Sequence, residues 1–258
     1  MFRKIFVTVF FLVTLILIGC GNNAEKIIIG IDDKFAPMGF RDDKNNIVGF
    51  DVDLAKETAK RMGGDIEFKS IDWNNKREEI TSGNIDIIWN GLDIVEEDKE
   101  YMIFSKPYMD NRQILLIKQG NPHNIHALGD LEGKVVGTQA GSNSEIYINE
   151  NPNIKNTFKE FKTYHDIKEG FDGLEQNKFD VLIIDEIAAR YELIKHPGTF
   201  KIIEATVGPV TQFAIGFRKD DVELRDKVQT AFDSMLADGT ARQISEKWFQ
   251  ADLIKYIR

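Results

Sequence analysis

The run Ile85-Asp-Ile-Ile-Trp89 is too short for a buried helix and too apolar for a surface loop, so it reads as a strand covered on both faces. It empties into Asn90-Gly91, and in open α/β sheets the carboxyl ends of strands are where small ligands sit. An acidic segment, Asp93 to Asp98, follows at once. A second run of the same kind, Phe179 to Ile184, ends in Asp185. The two are preceded by matching patterns: Trp73, Ile80 and Asp86 are spaced seven and six apart, and Ile167, Leu174 and Asp180 repeat that spacing. Each set reads as a helix, a polar turn and a strand, which predicts two similar α/β halves.

The rest of the chain fits between these marks. Ile27 to Ile31 reads as a buried strand with a loop from Asp32 to Met38, and Ile47 to Phe50 as a short strand. Asp51 is placed to cap the next helix, in which Val52, Ala55, Ala59 and Met62 share a face and Gly63-Gly64 is the stop. Ile66 to Phe68 reads as a strand and Trp73 to Ile80 as a helix; Gln113 to Lys118 reads as a crossing strand. Asp130 to Gly133 reads as a turn, and Lys134 to Thr138 and Phe158 to Phe161 as strands. Ser142, Asn143 and Ser144 open a helix, Phe213 to Phe217 crosses back, and two helices close the chain. Asp86 and Asp180, each inside a strand, read as structural hydrogen-bonding groups rather than ligand contacts.

The amino terminus is of a different character. Met1-Phe-Arg-Lys4 is basic, and the apolar run from Ile5 to Ile18, at about 14 residues, falls short of the roughly 20 that span a bilayer. This suits a secretory signal. It ends in Gly19-Cys20, which resembles the lipobox of bacterial lipoproteins, and the only other reading of Cys20 is a stray thiol. The resemblance implies cleavage before Cys20 and attachment of lipid (palmitate) there. Loss of residues 1–19 removes Arg3 and Lys4, taking the net charge from −9 to −9 − 2 = −11. So acidic a chain does not suit nucleic acid, which wants a basic face. Cys20 is the only cysteine, so no intrachain disulfide forms.

Six stretches in order, 29–37, 47–56, 85–92, 104–108, 133–142 and 179–185, resemble the solute-binding proteins of bacterial ABC importers for polar amino acids, family 3 of the extracellular solute-binding proteins. The resemblance implies a periplasmic-binding-protein type II fold, two α/β lobes joined by two hinge strands. It places a signal peptide at 1–19, a lipidated tether at 20–25, lobe 1 at 26–111 and 213–258, and lobe 2 at 112–212. The expected protein is an extracytoplasmic lipoprotein, periplasmic or cell-surface, held to the membrane by its lipid. It is expected to be a monomer without cofactor or catalytic residues that serves an ABC permease. Carried over by position, the ligand site comprises Asp32, Phe35 and Trp73, then Asn90, Gly91 and Asp93 in the first lobe. Ser142, Asn143, Ser144 and Asp185 fall in the second, with Asp185 on the ligand's α-amino group.

One departure stands out. Where the family carries Ser or Thr and then an arginine that forks onto the ligand's α-carboxylate, this chain has Asp93, Glu97 and Asp98. Three readings follow: a cationic ligand with no α-carboxylate there, held by Asp32, Asp93, Asp98 and Asp185; a substitute cation, Arg112 first; or an acidic loop in solvent, leaving Asp93 alone in contact. Two other classes compete with the receptor: a cyclohexadienyl or arogenate dehydratase on the same scaffold, with Asp93 or Asp98 as general acid, and a sensor acting in trans. No histidine has partners at metal spacing, so no metal is expected.

Overall fold

The computed structural model describes residues 26–255. The expected signal peptide, Cys20 and the expected tether at 20–25 lie outside them.

The chain opens with β1 (Ile27–Ile31) and a small antiparallel sheet of β2 (Lys34–Phe35), β3 (Gly39–Arg41) and β4 (Ile47–Val48). Helix α1 (Phe50–Met62) and β5 (Ile66–Ser70) follow. A 3-10 turn at Trp73–Asn75 then runs into α2 (Lys76–Thr81), β6 (Ile87–Asp93), β7 (Met102–Phe104) and β8 (Met109–Lys118). The next part comprises β9 (Val135–Gln139), α3 (Asn143–Glu150), α4 (Pro152–Lys155), β10 (Glu160–Tyr164), α5 (Ile167–Glu175), β11 (Val181–Asp185) and α6 (Glu186–Lys195). The long β12 (Phe200–Arg218) leads to α7 (Val222–Asp238) and α8 (Thr240–Phe249).

The strands run β10-β9-β11-β8-β12-β6-β1-β5, with β7 also on β12. Two parallel triplets, β5-β1-β6 and β10-β9-β11, flank an antiparallel pair. That pair, β8 and β12, joins the halves: Phe200 to Ile203 pair with Lys118 to Leu115, while Phe213 pairs with both Met109 and Asp93. The ladder slips between Ile203 and Val207 and again between Val207 and Thr211, so pairing is weakest where the two strands pass from one half to the other.

The internal repeat has a physical cause. Asp86 accepts from the amide of Ile28 at 2.7 Å and donates its own amide to the Ile28 carbonyl at 2.8 Å. Asp180 does the same with Val135, at 2.8 Å each way. Each carboxylate therefore pins the start of one strand to the start of its parallel neighbour. Ile80 and Leu174 are fully buried in both halves, but Trp73 is only half-buried and departs from the pattern.

Several local readings shift. Strand β6 starts at Ile87 and continues through Asn90-Gly91 to Asp93, because β12 supplies an antiparallel partner up to that residue. β10 covers 160–164 rather than 158–161, and 128–131 forms a 3-10 turn. Asp51 does not cap α1, whose N-cap is Gly49. Instead the first amides of that helix donate to the carbonyls of Pro37 and Met38, at 2.8 and 3.0 Å, and dock the loop after β2 onto its end.

Candidate functional site

A cleft opens at the carboxyl ends of β1, β6, β9 and β11, where the halves face each other. Asp32, just after β1, and Phe35 on β2 form one wall with Trp73, and Asn90, Gly91 and Asp93 continue it along β6. Ser142, Asn143 and Asp185 face them from the other half. Asp98, which is 6% exposed, also lines the cleft, so it is not part of a solvated loop.

Two of the expected residues lie elsewhere. Ser144 is buried behind the wall, donating to Gln113 at 2.9 Å and accepting from Thr138 at 2.7 Å. Arg112 corrects the substitute-cation reading: its guanidinium is bonded to Glu186 and, at 2.8 Å, to Glu204, and it does not line the cleft. Successive strand side chains point to opposite faces, so Asn111 and Gln113 turn inward while Arg112, between them, turns out.

The cation that does reach the cleft is Lys76. Its Nζ lies 5.7 Å from the centroid of the Trp73 ring and 3.5 Å from the Gly141 carbonyl across the cleft. Three residues after Trp73 on one short helical segment, it shares that residue's face, a spacing that could have been read beforehand. Gln139 had no such signal; it lines the cleft and donates to Asp32 at 2.9 Å, tying the halves together with Lys34–Asp166 at 3.3 Å.

The chemistry centres on Asp93 and Asp185. They come from strand ends in different halves and meet at Asn111, whose single amide group donates to both oxygens of Asp93 at 3.2 Å and to Asp185. Thr211 also donates to Asp93, and Gln113 donates to Asp185 at 2.6 Å. Burial, then the neighbouring Asp185, pushes the Asp93 carboxyl up to about 8, against the bonds from Thr211 and Asn111 and the charge of Lys76. Burial raises Asp185 as well, and burial pushes Asp32 up to about 6 despite its bonds from the Lys34 amide and Gln139. Two carboxyl groups this close do not both ionise readily without a cation between them.

A stability effect follows. An Asp with a raised folded-state pKa stabilises the fold at low pH, and that contribution is lost as pH rises from the unfolded value, about 3.9, through the folded one. Asp93→Asn has no such loss. The variant's unfolding midpoint should therefore gain on the wild type between pH 5 and pH 8.5, by a few degrees at the upper end. A gap that stays constant over that range would show that the pair does not share a proton.

Behind the cleft, Asp51 is fully buried and accepts from the Gly91 amide at 2.6 Å and from the Tyr108 hydroxyl at 2.9 Å. It fixes the floor of the cleft to the start of β8. Among the described residues no group of three or more His, Cys, Asp or Glu side chains is placed to hold a metal ion.

The model of the bacterial extracellular solute-binding proteins, family 3, matches residues 27–251. The chain belongs to that family. It is 29% identical to the L-cystine-binding protein TcyJ of Escherichia coli K12 over 229 residues, covering 89% of this chain and 84% of the relative. Against the arginine-binding extracellular protein ArtP of Bacillus subtilis it is 30% identical over 258 residues, with 93% and 95% covered. A crystal structure of an ABC uptake transporter substrate-binding protein from Streptococcus pneumoniae with bound histidine superposes with a TM-score of 0.85 at 36% identity, covering 90% of this chain and 95% of that one. The family 3 member thus has the two-lobed fold of these binding proteins, with β8 and β12 as its hinge strands.

Proposed function

We propose that this protein is an extracytoplasmic receptor that closes on a small polar amino acid or related cationic solute and delivers it to an ABC permease. The observation that carries this is the cleft itself. It lies at the strand ends of both halves, beside the two strands, β8 and β12, that join them among the described residues, and aromatic and ionisable side chains line it. Bonds such as Gln139–Asp32 span it, so a ligand held there favours the closed state over the open one. The binding functions of the relatives favour a receptor over a dehydratase. In this reading the lobes divide at 111/112 and 212/213, and the protein works as a monomer by binding and closure, without chemistry.

Thermal unfolding of the purified protein against a library of polar amino acids and biogenic amines tests the function. A ligand at a hundred times its Kd adds about 2.7 kcal/mol, which for a chain of this size raises the midpoint by about 5 to 10 °C. Small-angle scattering should show compaction with the same ligand. No shift with any member of the library would count against the receptor.

The anchor is a separate proposal, supported by the basic start, the apolar run and Gly19-Cys20. One acyl chain binds membranes only marginally and stable anchoring takes more than one, so a fully lipidated Cys20 should hold the protein in the membrane fraction. Labelled palmitate should be incorporated into the wild type and not into Cys20→Ala, and a wild type that takes up no label would remove Cys20 as the anchor.

A further inference from the structure

We propose that the cleft is built for a small organic cation that carries no carboxylate, an amine or guanidine whose charged end lies between Asp93 and Asp185 with Asp98 as a further counter-charge. The inference rests on the receptor reading and names its ligand class.

The first ground is the charge of the walls. Asp32, Asp93, Asp98 and Asp185 line the cleft against one ammonium, that of Lys76. Ion pairs are common on this protein, and on the outer side of β8 a single arginine, Arg112, joins two acids. Yet among the described residues none of the four cleft carboxylates is in an ion pair with any Lys, Arg or His. Lys76 lies 3.5 Å from the Gly141 carbonyl and over the Trp73 ring, and its charge acts on Asp93 from beyond ion-pair distance.

The second ground is the state of the carboxylate oxygens. Asp98 is 6% exposed and accepts from the Tyr101 hydroxyl at 2.5 Å through Oδ1, whereas its Oδ2 has no hydrogen-bond partner among the described residues. Asp185 receives both of its side-chain bonds, from Asn111 and Gln113, on Oδ1. Asp93 and Asp185 share the one amide of Asn111. These carboxylate oxygens keep spare acceptor capacity, and a ligand ammonium or guanidinium supplies several N–H donors together with the positive charge. Phe35 and Trp73 also line the cleft, and aromatic rings suit the same ligand. One group pulls the other way: Asn143 Nδ2 is buried without a partner and offers a donor. A hydroxyl or carbonyl on the ligand can use it, and one neutral amide does not offset the excess of acids over Lys76.

Matched pairs that differ only in the α-carboxylate provide the test: cadaverine against lysine, agmatine against arginine, and histamine against histidine, by thermal shift and isothermal titration calorimetry. At least one amine should bind about a hundredfold or more tighter than its parent, since a carboxylate entering this cleft meets like charge at short range. A parent amino acid that binds as tightly as its amine overturns the inference and leaves the receptor standing. Absence of binding by every pair and by the wider library overturns both. Asp93→Asn keeps the size of the side chain and should hold or raise the midpoint while weakening amine binding about thirtyfold or more. Unchanged amine affinity in that variant would also overturn the assignment.

Discussion

Asp51→Ala is expected to destabilise the protein by about 4 kcal/mol, because it leaves the Gly91 amide and the Tyr108 hydroxyl buried without their acceptor, at about 1–3 kcal/mol each. That loss corresponds to a fall of about 10 °C in the unfolding midpoint of a chain this size. Asp51 is 0% exposed, so solvent does not screen the loss. Asp51→Asn keeps one acceptor and should lose about half as much. The isosteric variant also carries a pH signature. Burial pushes the Asp51 carboxyl up to about 7, against the bonds from Gly91 and Tyr108. In the unfolded chain it titrates near 3.9, so the folded protein holds the proton more tightly between those values. The resulting stability is complete below about pH 4 and is lost as pH rises to 7. Asparagine has nothing to titrate, so the wild type's lead over Asp51→Asn should shrink across that range. Unfolding midpoints at pH 4, 5.5 and 7 measure it; a lead that holds steady would mean that the carboxyl does not titrate there. Ligand affinity should fall in the alanine variant as well, since the Gly91 floor loses its fixed position.

The other large effect is at Gly49. A Cβ there would lie 2.2 Å from the Met38 carbonyl oxygen and 2.8 Å from the Gly39 Cα, and its φ of +148° already disfavours any L side chain. Both obstacles are backbone, so no rotamer change relieves them. Strain of about 1–3 kcal/mol adds to overpacking of about 1–3 kcal/mol, and Gly49→Ala should cost about 4 kcal/mol. Gly63→Ala is the control: φ is +67° but nothing lies within 4 Å of the added Cβ, so only the left-handed penalty of about 1–2 kcal/mol applies. The two also differ in function. Gly49 sits where α1 receives the loop that follows Phe35, and its variant should weaken ligand binding in proportion to the shift of that wall. Gly63, at the far end of α1, should leave affinity unchanged. Equal effects on affinity would detach the Phe35 wall from the helix end.

Much of this was legible in residue patterns. The apolar runs at 85–89 and 179–184 mark strands because so few other elements can hide such short stretches, and the polar residues at their ends fall in the cleft. Asp86 and Asp180 read correctly as structural because a carboxylate at the mouth of a buried strand needs backbone donors nearby. What failed depended on partners distant in sequence. The true length of β6 is set by β12, more than a hundred residues later. Asp51 has the local signature of a cap, but its acceptors serve Gly91 and Tyr108, which only tertiary packing brings to it. Arg112 looked available as a cation until strand alternation turned it toward Glu186 and Glu204. Lys76 follows Trp73 by three residues, a spacing that places both on one helical face.

The order in which the chain can acquire its structure follows from β12. Its later part, Phe213 to Phe217, covers the open edge of β6, while α7 and α8 cover α1 and the amide of Lys255 closes on the Tyr108 carbonyl. The half built on β1, β5 and β6 therefore stays unfinished until the later part of β12, α7 and α8 have arrived. The middle of the chain, from β9 to β11, draws its sheet neighbours from β8 and the early part of β12 and is complete sooner. As residues emerge from the amino terminus onward, the half made second is the one able to fold first, and the amino-terminal half must wait for it with a bare strand edge.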